Sequence, residues 1–574
     1  MPSPSRPTPL RWNTSSLTRL SRSATRLPRS PVWARCRCEF LFAAVTGTQI
    51  IANFDGGDDS LTVDYSLGAP FGKSITLNGG EAGETNGDKL FITGDNGTTV
   101  ESGVYTPGTT AEAGQHVLTF SAAAGGGTET ISFTQVELSN QVSAIPSYTL
   151  TTGGSNDVLS VDADVVGAIP AATITGTTDL VPIIPITFFD VASFTVDTGT
   201  NDTFGGGEGN DSVTVNSGLD DGVDLVRNLT NFAIDTGVAG TGNTDSAINN
   251  AVIDVPGSVS INNAETVDLN ADIQAGTSLT ISNVATEIDL AQDVDLTAEN
   301  GDLSLNTNVT LIDLSGVAGT NSLVANDPDA SGDGNISVGP ISDSGVPASL
   351  VIDADNAVST DTITVQSTVA VLANQDGAGA ETFTQNGDIT TTNDTATAVT
   401  ITLNTGGGGT GNASLGVISA GTTSGPTGGR ITVNANAGAI TDGNAEANNL
   451  TAGNAILIAT IEVGTAADPI ETTLSRLEAA GGTGGVFVTD SDSLTIGGID
   501  AGQVGVSTGN GDIDVRTSSG TLTVEENITS TGAGNILLKS TDTAGVGDDL
   551  TVNAGVTLST NTGSIDIQAA TIRP

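Results

Sequence analysis

The stretch Thr521–Gln568 says nearly the same thing twice: TLTVEENITSTGAGNILLKS from Thr521, then DLTVNAGVTLSTNTGSIDIQA from Asp549. Laid over each other with one gap, Leu522 and Val524 fall on Leu550 and Val552. Ile528 falls on Val556, and Ile536 and Leu538 fall on Ile565 and Ile567. Most of these apolar pairs enclose one polar residue, the period of a strand with one buried face. Each ends at Gly, Asn, Asp or Ser, which tolerate the backbone angles of tight turns. Related triplets recur upstream, as Leu279-Thr-Ile281, Leu303-Ser-Leu305, Ile336-Ser-Val338, Ile431-Thr-Val433, Leu494-Thr-Ile496 and Ile513-Asp-Val515. A unit this small cannot bury its face alone, so neighbours must stack. The fold class read from this pattern is all-β: a parallel β-helix, or β-solenoid, of short strands joined by Gly/Asn/Asp turns.

Composition agrees. Aromatic residues are 3% and charged residues 14% of the 574, with 74 glycines. Disordered acidic chains are poor in β-branched residues, whereas Val, Ile and Thr alternate throughout this one. The charge is divided sharply. Arg6, Arg11, Arg19, Arg22, Arg26, Arg29, Arg35 and Arg37 all precede the first acid, Glu39. From there on 66 acidic residues face 8 basic ones, a net of −58. Such a body repels nucleic acid and anionic lipid and collects cations, which excludes nucleic-acid binding.

Residues 1–40 form a basic segment rich in Arg, Ser and Pro that holds both cysteines, Cys36 and Cys38. Two ligands make no zinc site, and a single intervening residue disfavours a bridge. Phe40–Val45 is shorter than the apolar core of a secretory signal. The segment reads as disordered or as a mispredicted start, with a divergent export signal as the alternative. No run approaches the length a membrane helix needs. The most apolar stretch, Val181–Phe189, reads as a buried strand region because of its two prolines.

Residues 48–216 form a Gly/Asp-rich β domain in which strands alternate with acidic glycine turns. Val117–Phe120 and Ile131–Phe133 read as a hairpin around Ala122–Gly127. The sharpest motif is Gly206-Gly-Glu-Gly-Asn-Asp-Ser-Val-Thr214, a fit to the nonapeptide of calcium β-rolls, with a partial copy at Asp202. Calcium takes carboxylate and carbonyl oxygens, so Asp202, Gly207, Gly209 and Asp211 are the candidate metal residues. The competing reading is a plain Asp/Gly turn between coils. No cofactor is required on either reading.

The segments FDGGDDSLTVDY (from Phe54), TTGGSNDVLSVDAD (from Thr151) and FTVDTGTNDTFGGGEGNDSVTVN (from Phe194) resemble repeats of giant extracellular planctomycete proteins. RCRCEFLFAAV (Arg35–Val45) has a weak likeness to the signature that opens many of those proteins. Those resemblances imply secretion or display at the cell surface.

Residues 217–574 read as the β-solenoid proper. The chain stops at Pro574 directly after a strand, so the expectation is a solenoid incomplete at its C-terminus. One segment departs from the pattern. Asp468-Pro-Ile-Glu-Thr-Thr-Leu-Ser-Arg-Leu-Glu-Ala-Ala-Gly481 carries a capping Asp, an early Pro, apolar residues at i, i+4 and i+7, and a terminal Gly. That spacing predicts a short helix over 468–480. The order of helix, GGVFV (Gly484–Val488) and SLTIGG (Ser493–Gly498) resembles a module of filamentous-haemagglutinin-like surface proteins. The resemblance implies an adhesin-like structural role.

Catalysis finds little support. The sole histidine, His116, sits on the predicted hairpin strand Gln115–Phe120 and reads as a surface or packing residue. Asn243-Thr-Asp245 resembles a polygalacturonase motif, with Asp220-Asp221 or Asp548-Asp549 as mimics of that family's Asp pair, but the family's His and Arg/Lys motifs are missing. The reading is therefore a non-enzymatic secreted or cell-surface structural protein. Its expected partner is a carbohydrate or another protein. A calcium-binding β-roll module is the first alternative and a carbohydrate-active β-helix enzyme the second.

Overall fold

The structure, a computed structural model, describes residues 47–54, 56–66, 70–80, 85–153, 156–200, 209–220, 226–237, 244–314, 318–326, 334–343, 345–376, 378–406, 408–445, 447–541 and 548–573. The basic segment 1–40 lies outside them. Two compact units divide between Val267 and Asp268, further along than the boundary between the segments 48–216 and 217–574 read from the sequence.

Strands as short as Leu303–Leu305 or Ile363–Val365 exist because partners on both sides complete their hydrogen bonds, which a lone strand of that length cannot do. In the second unit they form three parallel columns. One runs through Ile336–Val338, Val358–Thr360, Phe383–Gln385 and Ala413–Leu415. A second runs through Ile341–Ser342, Ile363–Val365, Ile389–Thr391 and Ile418–Ala420. A third runs through Thr320–Ala325, Ser349–Ala354, Val369–Ala373 and Val399–Leu403. Successive coils contribute one strand to each, so like residues stack: Ile363 on Ile389, and Ile389 on Ile418. The inward set is aliphatic and closed to solvent, as Ile352, Val371, Ile401 and Val433 show at 0% exposure. The expected solenoid is the observed fold.

The duplicated stretch stacks as its sequence aligns, with one change. Leu522 lies on Leu550 and Ile536 on Ile565. Ile528, however, lies on Leu558, two residues beyond Val556. Val556 instead closes a turn, its N–H donating to the Asn553 carbonyl at 3.2 Å. A shift of two leaves the inside and outside of a strand unchanged, so the apolar pattern cannot detect it.

Corners explain the asparagine content. Asn283 and Asn308 hold left-handed backbones, at φ 56° and 54°. Their amides form a ladder, with Asn308 Nδ2 donating to Asn283 Oδ1 at 2.7 Å. Asn tolerates this conformation better than other side chains carrying a β-carbon.

The predicted helix over 468–480 is a strand, Ile470–Gly481, which corrects the sequence reading. Ile470, Thr472 and Leu474 face inward, and the phase then resets so that Leu477 and Ala479 do as well. A strand turning a corner thus reproduces the i, i+4, i+7 spacing of a helix. Neighbours decide between the two. Leu450–Ile458 offers an open edge on one side, and Gly485–Asp490, Leu494–Ile496 and Val506–Thr508 on the other. A helix here would strand all of those buried backbone groups.

The first unit mixes parallel stacking with antiparallel excursions. Gly114–Phe120 and Thr128–Thr134 form the expected hairpin around Ala122–Gly127. A longer one joins Asp157–Val166 to Ile169–Thr178. Within Val181–Phe189, Ile183, Ile184, Ile186 and Phe188 are buried, as that apolar run predicts. Val100–Pro107, Ser147–Thr151, Ser193–Asp197 and Asn231–Asp235 continue the parallel register.

Candidate functional site

Where a turn delivers the chain into a strand, the first N–H falls outside the sheet ladder and needs an acceptor. Acidic and amide side chains from an adjacent coil supply it. The Asp157 N–H donates to Asp211 Oδ1 at 2.8 Å, and the Asp211 N–H to Asp245 Oδ1 at 3.0 Å. Beside this row, the Asn210 N–H donates to Asn156 Oδ1 at 3.3 Å and the Thr244 N–H to Asn210 Oδ1 at 2.9 Å. A second row opens the chain: the Asp59 N–H donates to Asp88 Oδ1 at 2.7 Å, and the Asp88 N–H to Glu137 Oε2 at 2.8 Å. The other unit repeats the device, with the Asn535 N–H on Asp512 Oδ1 at 2.6 Å and the Ser564 N–H on Asn535 Oδ1 at 2.9 Å. The acidic glycine turns are therefore rungs of side-chain-to-backbone ladders.

Of the candidate metal residues, Asp202 and Gly207 lie outside the described residues. Gly209 is buried, and Asp211 is fully buried within its ladder. Asp245 belongs to the same ladder. Asp548 accepts the Gly520 N–H at 3.0 Å, while Asp549 pairs with Arg573 at 3.0 Å. Asn243 and Asp221 lie outside the described residues. Among the described residues no three His, Cys, Asp or Glu side chains converge as a metal centre. No helix of the described residues is long and apolar enough to cross a membrane.

Electrostatics separates exposed rungs from buried ones. Asp58 accepts the N–H groups of Thr85 and Asn86 and the Asn86 amide, and the Asn86 N–H leads in pushing its carboxyl down to about 2. Asp394, held by Thr422 and Thr423, is lowered to about 2 in the same way, chiefly by the Thr423 N–H. Buried carboxyls move oppositely. Burial raises Asp88 to about 6, helped by Glu137, Asp59 and Asp58. It raises Asp490 to about 6 although Asp492 and Leu474 N–H groups and the Thr472 hydroxyl donate to it.

Of the two readings of His116, surface or packing, the structure shows packing. It is fully buried, stacked on Tyr105 at 4.9 Å between centroids, with Nδ1 hydrogen-bonded to the Tyr148 hydroxyl. Burial drives its pKa down to about 3, so it stays neutral. A cleft of about 40 Å³ lies among Thr465, Pro469, Phe487, Thr489, Asp514 and Arg516. That is room for a water or two, not for a sugar ring. Sequence reasoning missed Asp88, Glu137 and Asp490 as ladder or core carboxylates. Asp88 was detectable as a Gly-Asp pair directly before an apolar alternation.

Compared with known proteins, the chain matches no family model, and no curated protein matches it.

Proposed function

We propose that the chain is a secreted or cell-surface structural protein, adhesin-like and non-catalytic, that presents long rows of small polar and acidic side chains to a carbohydrate or another protein. The observation that supports this most is the outward row in register on successive coils: Ser337, Ser359, Thr384, Ser414 and Thr441. Such a row repeats at the spacing of neighbouring strands, roughly 4.8 Å, and suits a repetitive partner better than a compact substrate. The resemblance to planctomycete and haemagglutinin-like surface proteins points the same way. Protease shaving of intact producing cells tests it: the tagged chain should be cut without lysis. A chain protected until the cells are broken overturns the reading.

A second reading, a calcium-binding turn at Gly206–Thr214, rests on its nine-residue match and on the net charge of −50. Melting the chain with calcium and with chelator tests it: a calcium-dependent shift smaller in Asp211→Asn than in wild type supports this turn, and an equal shift in both overturns it.

A further inference from the structure

The turn leading into Lys89–Thr93 presses two acceptor oxygens together. Asp88 is 1% exposed; its Oδ1 takes the Asp59 N–H, and its Oδ2 is sealed from solvent and meets no donor. Gly79 makes this approach feasible. A β-carbon there would lie 2.2 Å from Asp88 Oδ2 and 1.7 Å from the Gln135 carbonyl oxygen, so the two oxygens are no more than about 4 Å apart. Glu137, one coil on, repeats the situation. Its Oε2 takes the Asp88 N–H, and its Oε1 is sealed without a donor. Asp58 and Asp59 add negative field. Among the described residues no lysine or arginine pairs with Asp88 or Glu137. Lys89 opens the strand directly after Asp88 and is half-buried where Asp88 is buried.

Sealed carboxylate oxygens without donors are costly, and native structures relieve them with a donor or an ion. We propose that Asp88 Oδ2, Glu137 Oε1 and the Gln135 carbonyl oxygen hold a hard divalent cation, calcium by preference. The donor set is all oxygen and mixes carboxylate with main-chain carbonyl, which suits the irregular shell of calcium better than the strict octahedron of magnesium. Waters complete the coordination. Leu138, beside Glu137, is 42% exposed, so the turn that carries Glu137 reaches the surface. The site is distinct from the Gly206–Thr214 turn and does not depend on the surface-protein reading.

Isothermal titration of the full chain with calcium chloride tests the proposal, alongside Asp88→Asn, Glu137→Gln and Asp211→Asn. Asp88→Asn keeps an acceptor for the Asp59 N–H and turns an amide toward Gln135, so the fold has a reason to survive. The expected result is binding with a Kd of about 0.1–1 mM, the range of extracellular calcium modules. It should be lost in Asp88→Asn, at least about tenfold weaker in Glu137→Gln, and retained in Asp211→Asn. A wild-type chain that binds no calcium overturns the proposal, as does undiminished binding by Asp88→Asn. Loss in Asp211→Asn alone also overturns it and places the ion at the other turn. Should Asp88→Asn not fold, unchanged affinity in Glu137→Gln is decisive against it.

Discussion

The backbone N–H of Asp157 is held at 2.8 Å by a carboxylate oxygen of Asp211, which belongs to a later coil and is itself fully buried. The acid in the most motif-like turn of the chain thus satisfies a backbone donor. Replacing it with alanine leaves that donor buried and unpaired, a loss of about 1–3 kcal/mol. Denaturant unfolding should show Asp211→Ala below wild type by that amount, with Asp211→Asn much nearer to wild type.

Asp490 makes the protein sensitive to pH in a defined direction. Its folded pKa, about 6, stands above the ordinary 3.8, because burial disfavours the charged form. The folded state therefore binds more protons than the unfolded state between those values, and stability falls as pH rises through the window. Acidification from pH 7 to 4 should return on the order of 2–3 kcal/mol from this group alone. Equilibrium unfolding across that range should show the slope, flattened in Asp490→Asn.

His116 acts with the opposite sign. Its folded pKa of about 3 lies below the ordinary 6.5, so the unfolded state takes up the proton first. Stability is lost as pH falls below 6.5, by about 1.4 kcal/mol per unit until the folded value is reached. The imidazole resonances should show a neutral ring at pH 5. A charged ring at that pH in the folded protein would contradict the burial described.

Ala479 distinguishes strand from helix over Ile470–Gly481. On a helix it would lie opposite Ile470, facing solvent, where lysine is harmless. In the strand it is 0% exposed, between Leu457 and Val506 of the adjoining coils. Ala479→Lys should cost at least about 3 kcal/mol, read as a lowered denaturation midpoint.

Gly79→Ala should destabilise the chain whether or not calcium is present. The added methyl group would stand 1.7 Å from the Gln135 carbonyl oxygen, a main-chain atom that cannot step aside without moving its turn. Thermal melting with and without chelator should show a lower Tm in both.

Much of the fold was readable because inward residues recur at period two between turns that only certain residues make. The triplets Leu279–Ile281, Leu303–Leu305 and Leu522–Val524 all proved to be strands or parts of them. The errors came where one pattern fits two conformations. Ile470, Leu474 and Leu477 match a helix and a cornering strand equally, and Val556 and Leu558 are interchangeable under an alternation of two.

Ladder carboxylates were less legible, since Asp88, Glu137 and Asp490 differ from solvated acids only in what stacks against them. The amino-acid sequence by itself determined that the chain would be a stack of β coils, with an acidic surface and a thin aliphatic core. Only tertiary structure decided which acids lie buried as rungs and where two acceptor oxygens meet across Gly79. It also decided the strand at Ile470–Gly481. The reason is that inside-or-outside alternation is a property of a single strand, whereas hydrogen-bond partners and desolvation belong to pairs of coils many residues apart.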